Sequence, residues 1–142
     1  MKYALVNDTP QEAQPGLSGK CKCCGSQTIP KCGELKIWHW AHSGKRMCDP
    51  WWENETEWHR AWKGHFPKEC QEVIHTAAND EKHIADVKTG QSYVIEFQHS
   101  HLASQERIIR EAFYQNMVWV IYGTRLKKDY PRFLEARKHF SP

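Results

Sequence analysis

Residues 83–98 carry the pattern that most limits how this chain can fold. Two stretches rich in β-branched and aromatic residues flank the turn-forming sequence Lys88-Thr89-Gly90-Gln91, which predicts a β-hairpin. Asp86 closes the first strand, whereas Glu96 and Gln98 alternate with apolar residues on the second. Because successive side chains of a strand point to opposite faces, Glu96 and Gln98 share a polar face. The hairpin therefore places two carboxylates and an amide on adjoining strands, a layout suited to holding Mg²⁺ against a phosphodiester.

The register of the hairpin decides whether Asp86 and Glu96 can share one cation. A two-residue turn at Thr89-Gly90 would put the two carboxylates on opposite faces of the sheet. A three-residue loop with Gly90 in the left-handed conformation would place Asp86 opposite Val94. Glu96 would then lie diagonally adjacent on the same face, about 7–8 Å away between backbones. We therefore expect an odd-length loop or a bulge.

The rest of the chain predicts an α/β protein. Residues 1–6 suit a short strand, and residues 7–20, which contain two prolines and two glycines, suit a loop. After residue 48 the expected order is helix, three strands, helix, strand, helix, which favours an α/β sandwich over a doubly wound sheet. The first helix has two possible starts, with either Asp49 or Asn54 as its N-cap, and ends near His65. The later elements are strands over 72–77, 82–87 and 91–98, a helix over 104–115, a strand over 117–122 and a helix over 131–140.

Two apolar patterns predict which surfaces of the later elements are buried. Ile108, Ile109, Ala112 and Phe113 are spaced for one buried face of the helix over 104–115. The continuous apolar run over 117–122 is typical of a strand covered on both sides.

Composition and length bound the class of protein. A chain of 142 residues fits one domain with a small appendage, and no apolar run approaches the ~20 residues of a membrane span. The first residues lack the pattern of a secretory leader, so we expect a cytoplasmic protein with reduced thiols and no membrane partner. A net charge of +3 neither demands nor excludes a nucleic-acid partner.

A cysteine- and histidine-rich segment, residues 21–48, predicts a structural zinc site. Cys21 and Cys24 form a Cys-x2-Cys-Gly turn that aims two thiolates at one point, and His42 and Cys48 follow at the spacing of a zinc ribbon. We favour these four residues as ligands. The segment then has three further candidates that would not bind the metal, Cys23, Cys32 and His39. Four protein ligands close a site, so it would be structural rather than catalytic. The alternative is a set of buried free thiols with incidental histidines.

The helix that follows predicts one polar stripe. Glu55, His59 and Lys63 have the i, i+4, i+8 spacing that aligns side chains on a helix. A solvated helix face explains the same stripe, because acids such as Glu55 and Glu57 are favoured at a helix N-terminus.

Several motifs together show a resemblance to a known family. They are Ala4-Leu5, Cys21-x2-Cys24, His39-Trp40-Ala41-His42, Glu55-Thr56-x2-His59-x3-Lys63, Asp86, Glu96-Phe97-Gln98-x-Ser100, Arg110-x3-Tyr114 and Val118-Trp119-Val120-Ile121. In this order and at these intervals the chain resembles the CoiA-like competence proteins of the PD-(D/E)XK nuclease superfamily. The resemblance extends over most of the chain.

The resemblance implies a fold and an activity. The fold would be a restriction-endonuclease-like αβββαβ core with a mixed central sheet in residues 49–142, preceded by a strand and a zinc-ribbon-like segment in residues 1–48. The activity would be that of a nuclease that uses Mg²⁺ or Mn²⁺, with DNA as the expected substrate. Its implied catalytic residues are Glu55, His59, Lys63, Asp86, Glu96 and Gln98, of which Glu55, Asp86 and Glu96 would bind magnesium.

One position departs from the superfamily signature. Gln98 takes the place of the signature lysine, so activation of water must come mainly from the metal. His59 or Lys63 could supply the missing positive charge, and Glu57 is the alternative to Glu55 as the helical acid. Arg107, Arg110 and Tyr114 line one side of the later helix and could contact phosphates of the substrate, although Arg110 could equally pair with Glu106. Ser100, just past Gln98, could either contact substrate in the active site or cap the turn.

A different class of function fits the same motifs. A non-catalytic zinc-ribbon protein that binds nucleic acid, or acts as an adaptor, could keep a degenerate nuclease core. A basic C-terminal cluster serves either function by attracting phosphates, or is simply a solvated helix face. Its members are Arg125, Lys127, Lys128, Arg132, Arg137 and Lys138.

Overall fold

The computed structural model describes residues 1–44, 48–51 and 53–139, and within these ranges the chain forms two β-sheets and three α-helices. The first sheet is antiparallel, with strand order β2-β1-β3-β4-β5. Its strands are β1 (Tyr3–Val6), β2 (Thr9–Glu12), β3 (Gly19–Lys20), β4 (Gln27–Lys31) and β5 (His39–His42). β4 and β5 form a hairpin within the cysteine- and histidine-rich segment.

The loop predicted over residues 7–20 was wrong, because this range contains β2 and β3. Asn7 and Asp8 both take positive φ angles, 50° and 60°, and connect the paired residues Val6 and Thr9. A two-residue connection with both φ angles positive matches the right-handed twist of a hairpin. Pro10 lies within β2 and is tolerated there because β2 is an edge strand.

The second sheet is mixed and has the strand order β6-β7-β8-β9. β8 runs antiparallel to β7 and parallel to β9, and a helix connects β8 to β9. The order of elements is thus α, three β, α, β, α. They are α1 (Glu57–Lys63), a 3₁₀ turn (Lys68–Cys70), β6 (Gln71–Thr76), β7 (Lys82–Lys88), β8 (Val94–Gln98), α2 (Ser104–Tyr114), β9 (Met117–Ile121) and α3 (Asp129–Lys138). Residue 140, where the last helix was expected to end, lies outside the described residues.

α1 begins later than either predicted start. Thr56 is the N-cap: its hydroxyl accepts the backbone N–H of His59, and the ring of His59 accepts the N–H of Thr56. This reciprocal pair is a capping box with histidine in place of the usual Glu or Gln. The prediction of Asp49 or Asn54 as N-cap was wrong, and Glu55 precedes the helix instead of lying on it.

The β7–β8 loop has odd length, as predicted, but not the predicted geometry. Lys88 pairs with Val94, so the loop is five residues long. Asp86 therefore lies opposite Glu96 when the register is continued, and not opposite Val94. Gly90 was expected in the left-handed conformation, whereas Ser92 adopts it with φ 63°. Thr89 closes the loop: its N–H donates to the carbonyl of Tyr93 and its hydroxyl accepts the N–H of Tyr93.

The predicted apolar burial of α2 and β9 was largely wrong. Ile108 and Ile109 are about half exposed, and the buried side chains of α2 are Arg110 and Tyr114. Val118 and Ile121 on β9 are also exposed, because β9 is an edge strand and is not covered on both sides. The inward face of α2 thus carries Arg110, which lines a polar cavity, beside Tyr114, which belongs to an apolar cluster.

Two separate clusters form the apolar core. The larger one lies under the first sheet and contains Met1, Ala4, Val6, Ala13, Cys21 and Trp40. The smaller one joins β7, β8 and α2 through Ala85, Val94 and Tyr114. Among the described residues, no helix combines the length and the apolar character that a bilayer crossing requires.

Candidate active site and metal cluster

Six acidic side chains line a cavity of about 70 Å³ beside β7 and β8. They are Asp49, Glu53, Glu55, Glu72, Asp86 and Glu96. The cavity also brings together the other predicted catalytic residues, His59, Lys63 and Gln98, with Arg110 and Tyr114 from α2. Ser100 lies at its edge, where its backbone N–H donates to Glu53 Oε1 over 2.8 Å.

Asp86 and Glu96 each accept a hydrogen bond from the opposing strand. The N–H of Asp86 donates to Glu96 Oε1 at 3.1 Å, and the N–H of Phe97 donates to Asp86 Oδ2 at 3.0 Å. Burial, reinforced by the charge of Asp86, raises the pKa of Glu96 well above its usual range. Burial also raises the pKa of Asp86, whose side chain keeps a quarter of its area exposed (25%). A cation bound between the two groups would offset their mutual repulsion and favour the ionised form of both.

Lys63 is the central cation of the cavity. Its ammonium lies 2.7 Å from Glu55 Oε1, 3.2 Å from Glu72 Oε1 and 3.6 Å from Asp86 Oδ1. Burial alone would lower the pKa of Lys63, but the three carboxylates outweigh it and raise the pKa above its ordinary value. The lysine therefore stays charged and offsets part of the acidic charge.

Glu72 joins the two sheets. Its carboxylate accepts the backbone N–H groups of Lys2 and Tyr3, at the start of β1, and pairs with Lys63. Although burial alone would raise the pKa of Glu72, Lys63 and these N–H groups lower it to about 2. Glu72 also has a φ of 49°, an uncommon conformation for a residue with a side chain. Glu72 thus holds Lys63 in place beside the start of β1. It was not predicted as a site residue.

Glu53 is a second acid that sequence reasoning missed. Its carboxylate accepts hydrogen bonds from the Gln98 side chain (3.3 Å) and the Ser100 N–H, and lies 3.4 Å from His59 Nε2. Burial alone would raise the pKa of Glu53, but these partners lower it to about 2. The segment before α1 has no periodicity that would indicate which acid points inward, so no local signal distinguishes Glu53 from Glu55.

Glu55 reaches the site although it precedes α1. Its Oε1 lies 2.7 Å from Lys63 and 3.1 Å from Arg60 Nε. Burial alone would raise the pKa of Glu55, and the ion pair with Lys63 lowers it. Glu57, the alternative helical acid, is exposed in the first turn of α1.

Arg110 binds groups within the chain. Its guanidinium lies 3.3 Å from Glu96 Oε2, and it donates to the carbonyl of Trp51 and to Glu106. The i, i+4 pair with Glu106 is therefore present. Tyr114 is buried beside this group, and burial raises its pKa. Two of the predicted substrate contacts, Arg110 and Tyr114, are thus buried, and Arg110 pairs with Glu96.

The four favoured zinc ligands form one cluster. The ligand atoms of Cys21, Cys24, His42 and Cys48 all lie within 4.8 Å of one another. The two sulfurs of Cys21 and Cys48 are 3.9 Å apart, and His42 Nε2 lies 3.4 Å from Cys24 Sγ and 3.6 Å from Cys48 Sγ. Zn–S bonds of about 2.3 Å in a tetrahedron give S···S edges of about 3.8 Å, so this cluster fits a zinc ion.

The thiols of this cluster differ in acidity. Burial raises the pKa of Cys21 to about 12, whereas Ser26 and His42 overcome the burial of Cys24 and lower its pKa to about 6. The three further candidates lie outside the cluster: Cys23 and Cys32 pack against the larger core, and His39 Nδ1 contacts the carbonyl of Ile37. In the described part of the chain this is the only group of three or more such ligands within that distance limit. The predicted magnesium ligands Glu55, Asp86 and Glu96 line one cavity, but they do not form such a group.

Comparison of the chain with protein-family models, with curated proteins and with solved structures gives no match.

Proposed function

We propose that this protein is a Mg²⁺-dependent nuclease that hydrolyses phosphodiester bonds of DNA. The observation that carries the proposal is the position of Asp86 and Glu96, which face each other across β7 and β8 inside an acidic cavity. Gln98, two residues after Glu96 on β8, lines the same cavity. This agrees with the (D/E)XK-type arrangement implied by the resemblance to CoiA-like proteins.

The order and pairing of the elements support the same proposal. A helix, three antiparallel strands, a second helix and a strand parallel to its neighbour are what a restriction-endonuclease-like core requires. We assign this core to residues 49–142 and the zinc-ribbon-like part to residues 1–48. Hydrogen bonds from the N–H groups of Lys2 and Tyr3 to Glu72 connect the two parts next to the cavity.

The charge balance of the cavity favours a bound cation. Among the described residues that line it, six carboxylates face two permanently charged side chains, Lys63 and Arg110. Asp49 is occupied by His83 and two backbone N–H groups, and Glu72 by its own partners. The other four acids, Glu53, Glu55, Asp86 and Glu96, also have partners within the chain, and each would offer carboxylate oxygens, the ligands that Mg²⁺ prefers.

The residues of the cavity can divide the chemistry of hydrolysis among them. Mg²⁺ bound there would polarise water and neutralise charge on the phosphate oxygens. Asp86 and Glu96 would bind the ion, and Gln98, held by Glu53, would orient the attacking water. The ammonium of Lys63, 3.6 Å from Asp86, supplies the positive charge that Gln98 lacks.

The Cys3His cluster would hold structural Zn²⁺. Its four ligand atoms leave no position for substrate, and one ligand, Cys21, is part of the larger core. Zinc would thus stabilise the sheet that carries Lys2 and Tyr3, and through Glu72 it would support Lys63.

Cleavage of plasmid and single-stranded DNA by the zinc-loaded protein tests the proposal. We expect cleavage with Mg²⁺ or Mn²⁺ and at least a hundredfold loss in the variants Asp86→Asn and Glu96→Gln. The exposed variant Glu57→Gln is the matched control and should keep full activity. Circular dichroism should show all three variants folded. Equal activity in wild type and both cavity variants would refute the catalytic assignment.

One observation favours a second candidate, a non-catalytic zinc-ribbon protein that binds nucleic acid. Both oxygens of Glu96 already have partners within the chain, Asp86 N–H and Arg110, and Asp86 is held by Phe97 N–H and Lys63. This candidate predicts DNA binding without cleavage under any divalent cation, and no change in binding in Asp86→Asn.

A further inference from the structure

A second cavity adjoins the acidic one, and four of its eleven lining residues carry aromatic rings. It measures about 570 Å³ and lies between the end of β8, the residues after β9 and the start of α3. We call it the α3 groove. Its aromatic lining residues are His99, Tyr122, Tyr130 and Phe133. Cavities of about 300–1,000 Å³ are typical of small-molecule and nucleotide sites.

Gln98 and its neighbours connect the two cavities. Gln98 lines both, and its side chain donates to Glu53 in the acidic cavity and to the carbonyl of Ser100 in the α3 groove. A group bound in the groove therefore lies next to the residue that would orient the attacking water.

The aromatic rings of the groove are arranged in two ways. His99 and Tyr122 stack on one another, with ring centroids 4.6 Å apart and an angle of 11° between the ring planes. Tyr130 and Phe133 project from α3 with 51% and 62% of their surface exposed. Exposed aromatic side chains beside a stacked pair offer flat faces on which a planar ring can stack.

The segment that carries Tyr130 and Phe133 has a net positive charge, and two of its charged residues, Arg125 and Asp129, line the groove. Between residues 125 and 133 there are four basic side chains and one acidic one, all exposed: Arg125, Lys127, Lys128, Arg132 and Asp129. Basic residues interleaved with exposed aromatic rings are the combination by which proteins bind single-stranded nucleic acid. An apolar protein partner would not require this charge.

We propose that the α3 groove binds unpaired bases of a single-stranded polynucleotide whose backbone enters the acidic cavity. This rests on the proposed function, because it takes the acidic cavity as the place where the phosphodiester is cleaved. Bases inside a duplex have their faces covered by neighbouring pairs and cannot stack on Tyr130 and Phe133. The groove thus selects single strands and frayed ends over intact duplex.

Binding measured apart from cleavage tests the inference. The full zinc-loaded chain is titrated, in buffer without Mg²⁺, against three labelled probes: a thymidine oligonucleotide, an abasic oligonucleotide of the same length and a duplex. We expect the thymidine strand to bind most tightly. The double variant Tyr130→Ala/Phe133→Ala should weaken this binding about 10- to 100-fold and change binding of the abasic strand little.

A matched control and a restoring variant isolate the role of the rings. Tyr93 is also 51% exposed but lies in the β7–β8 loop, so Tyr93→Ala should bind like wild type. Tyr130→Trp should retain binding because it keeps an aromatic face. Since Tyr130 and Phe133 are exposed, the double variant should keep the wild-type melting temperature.

Three results would overturn the inference: equal binding of thymidine and abasic strands, equal binding by the double variant and Tyr93→Ala, or a change from dimer to monomer in the double variant. The last would make the groove an interface between two copies of the chain. The outcome is separable from that of the proposed function. Mg²⁺-dependent cleavage unaffected by the double variant would refute only the groove, whereas base-dependent binding without cleavage would refute only the nuclease.

Discussion

The backbone N–H of Asp86 donates to Oε1 of Glu96 across 3.1 Å, so a side chain bridges the strands where their regular pairing ends. The paired register of β7 and β8 stops at Val87 and Ile95. One position further, the carboxylates of Asp86 and Glu96 take the N–H groups of the opposite strand. This separation of the strands leaves space for the acidic cavity, and it makes the two candidate metal ligands part of the sheet.

Glu96→Gln should make the stability of the protein less dependent on pH. The folded chain raises the pKa of Glu96, so above the ordinary carboxyl value of 4.5 the native state binds more protons than the unfolded state. The free energy of unfolding therefore falls as pH rises toward the raised pKa. Removing the ionisable group removes this fall. Urea denaturation between about pH 5 and pH 8, without Mg²⁺, measures it.

The control for this prediction is Glu135→Gln, which changes an exposed acid on α3. Its stability curve should run parallel to that of wild type. If the Glu96→Gln curve also ran parallel, the raised pKa would be refuted.

Lys63→Met should destabilise the fold strongly. The substitution leaves the carboxylates of Glu55, Glu72 and Asp86 without their shared ammonium. Loss of one partner from a buried ion pair costs about 3–5 kcal/mol. Urea denaturation of wild type and variant gives the difference in the free energy of unfolding.

Lys138→Met is the matched control, since Lys138 pairs with Glu135 in solvent at the end of α3. Exposed pairs of this kind contribute about 0.2–1 kcal/mol. A loss in Lys63→Met no larger than in Lys138→Met would show that Lys63 does not neutralise the cavity.

Cys24→Ser should remove zinc and lower the melting temperature. Cys24 supplies one of four ligand atoms, and three ligands bind the ion much more weakly than four. Cys23→Ser changes the adjacent thiol, which lies outside the cluster, and should keep about one zinc per chain. Elemental analysis and thermal unfolding measure both effects. Equal zinc content in the two variants would contradict the ligand assignment.

The members of the Cys3His cluster and the order of helices and strands after residue 48 could be predicted from sequence because their signals are local. A Cys-x2-Cys-Gly turn places two sulfurs together by its own geometry, and alternation along residues 94–98 identifies the polar face of β8. The start of α1 was harder to predict from sequence, because histidine at the third helical position is an unusual member of a capping box.

The parts that sequence did not predict depend on contacts between distant residues. Glu72 and Glu53 reach the cavity through partners 69 and 45 residues away, at Tyr3 and Gln98. The periodicity of α2 predicted that Ile108 and Ile109 were buried, but the helix turns Arg110 inward to pair with Glu96. An ion pair thus decided which face of α2 packs against the sheet.

Glu53→Gln should lower the rate of Mg²⁺-dependent cleavage by about 10- to 100-fold, a range typical of residues that hold a metal ligand or catalytic group in place. Glu53 accepts the side-chain N–H of Gln98 with one oxygen and the N–H of Ser100 with the other, whereas an amide has one accepting oxygen and would lose one of the two bonds that position Gln98 and Ser100. Because Glu53 acts through Gln98, kcat should fall while KM changes little. Glu57→Gln, which changes an exposed acid four residues later, should leave both constants unchanged. A fall in melting temperature that accounted for the whole loss of activity would instead give Glu53 a purely structural role.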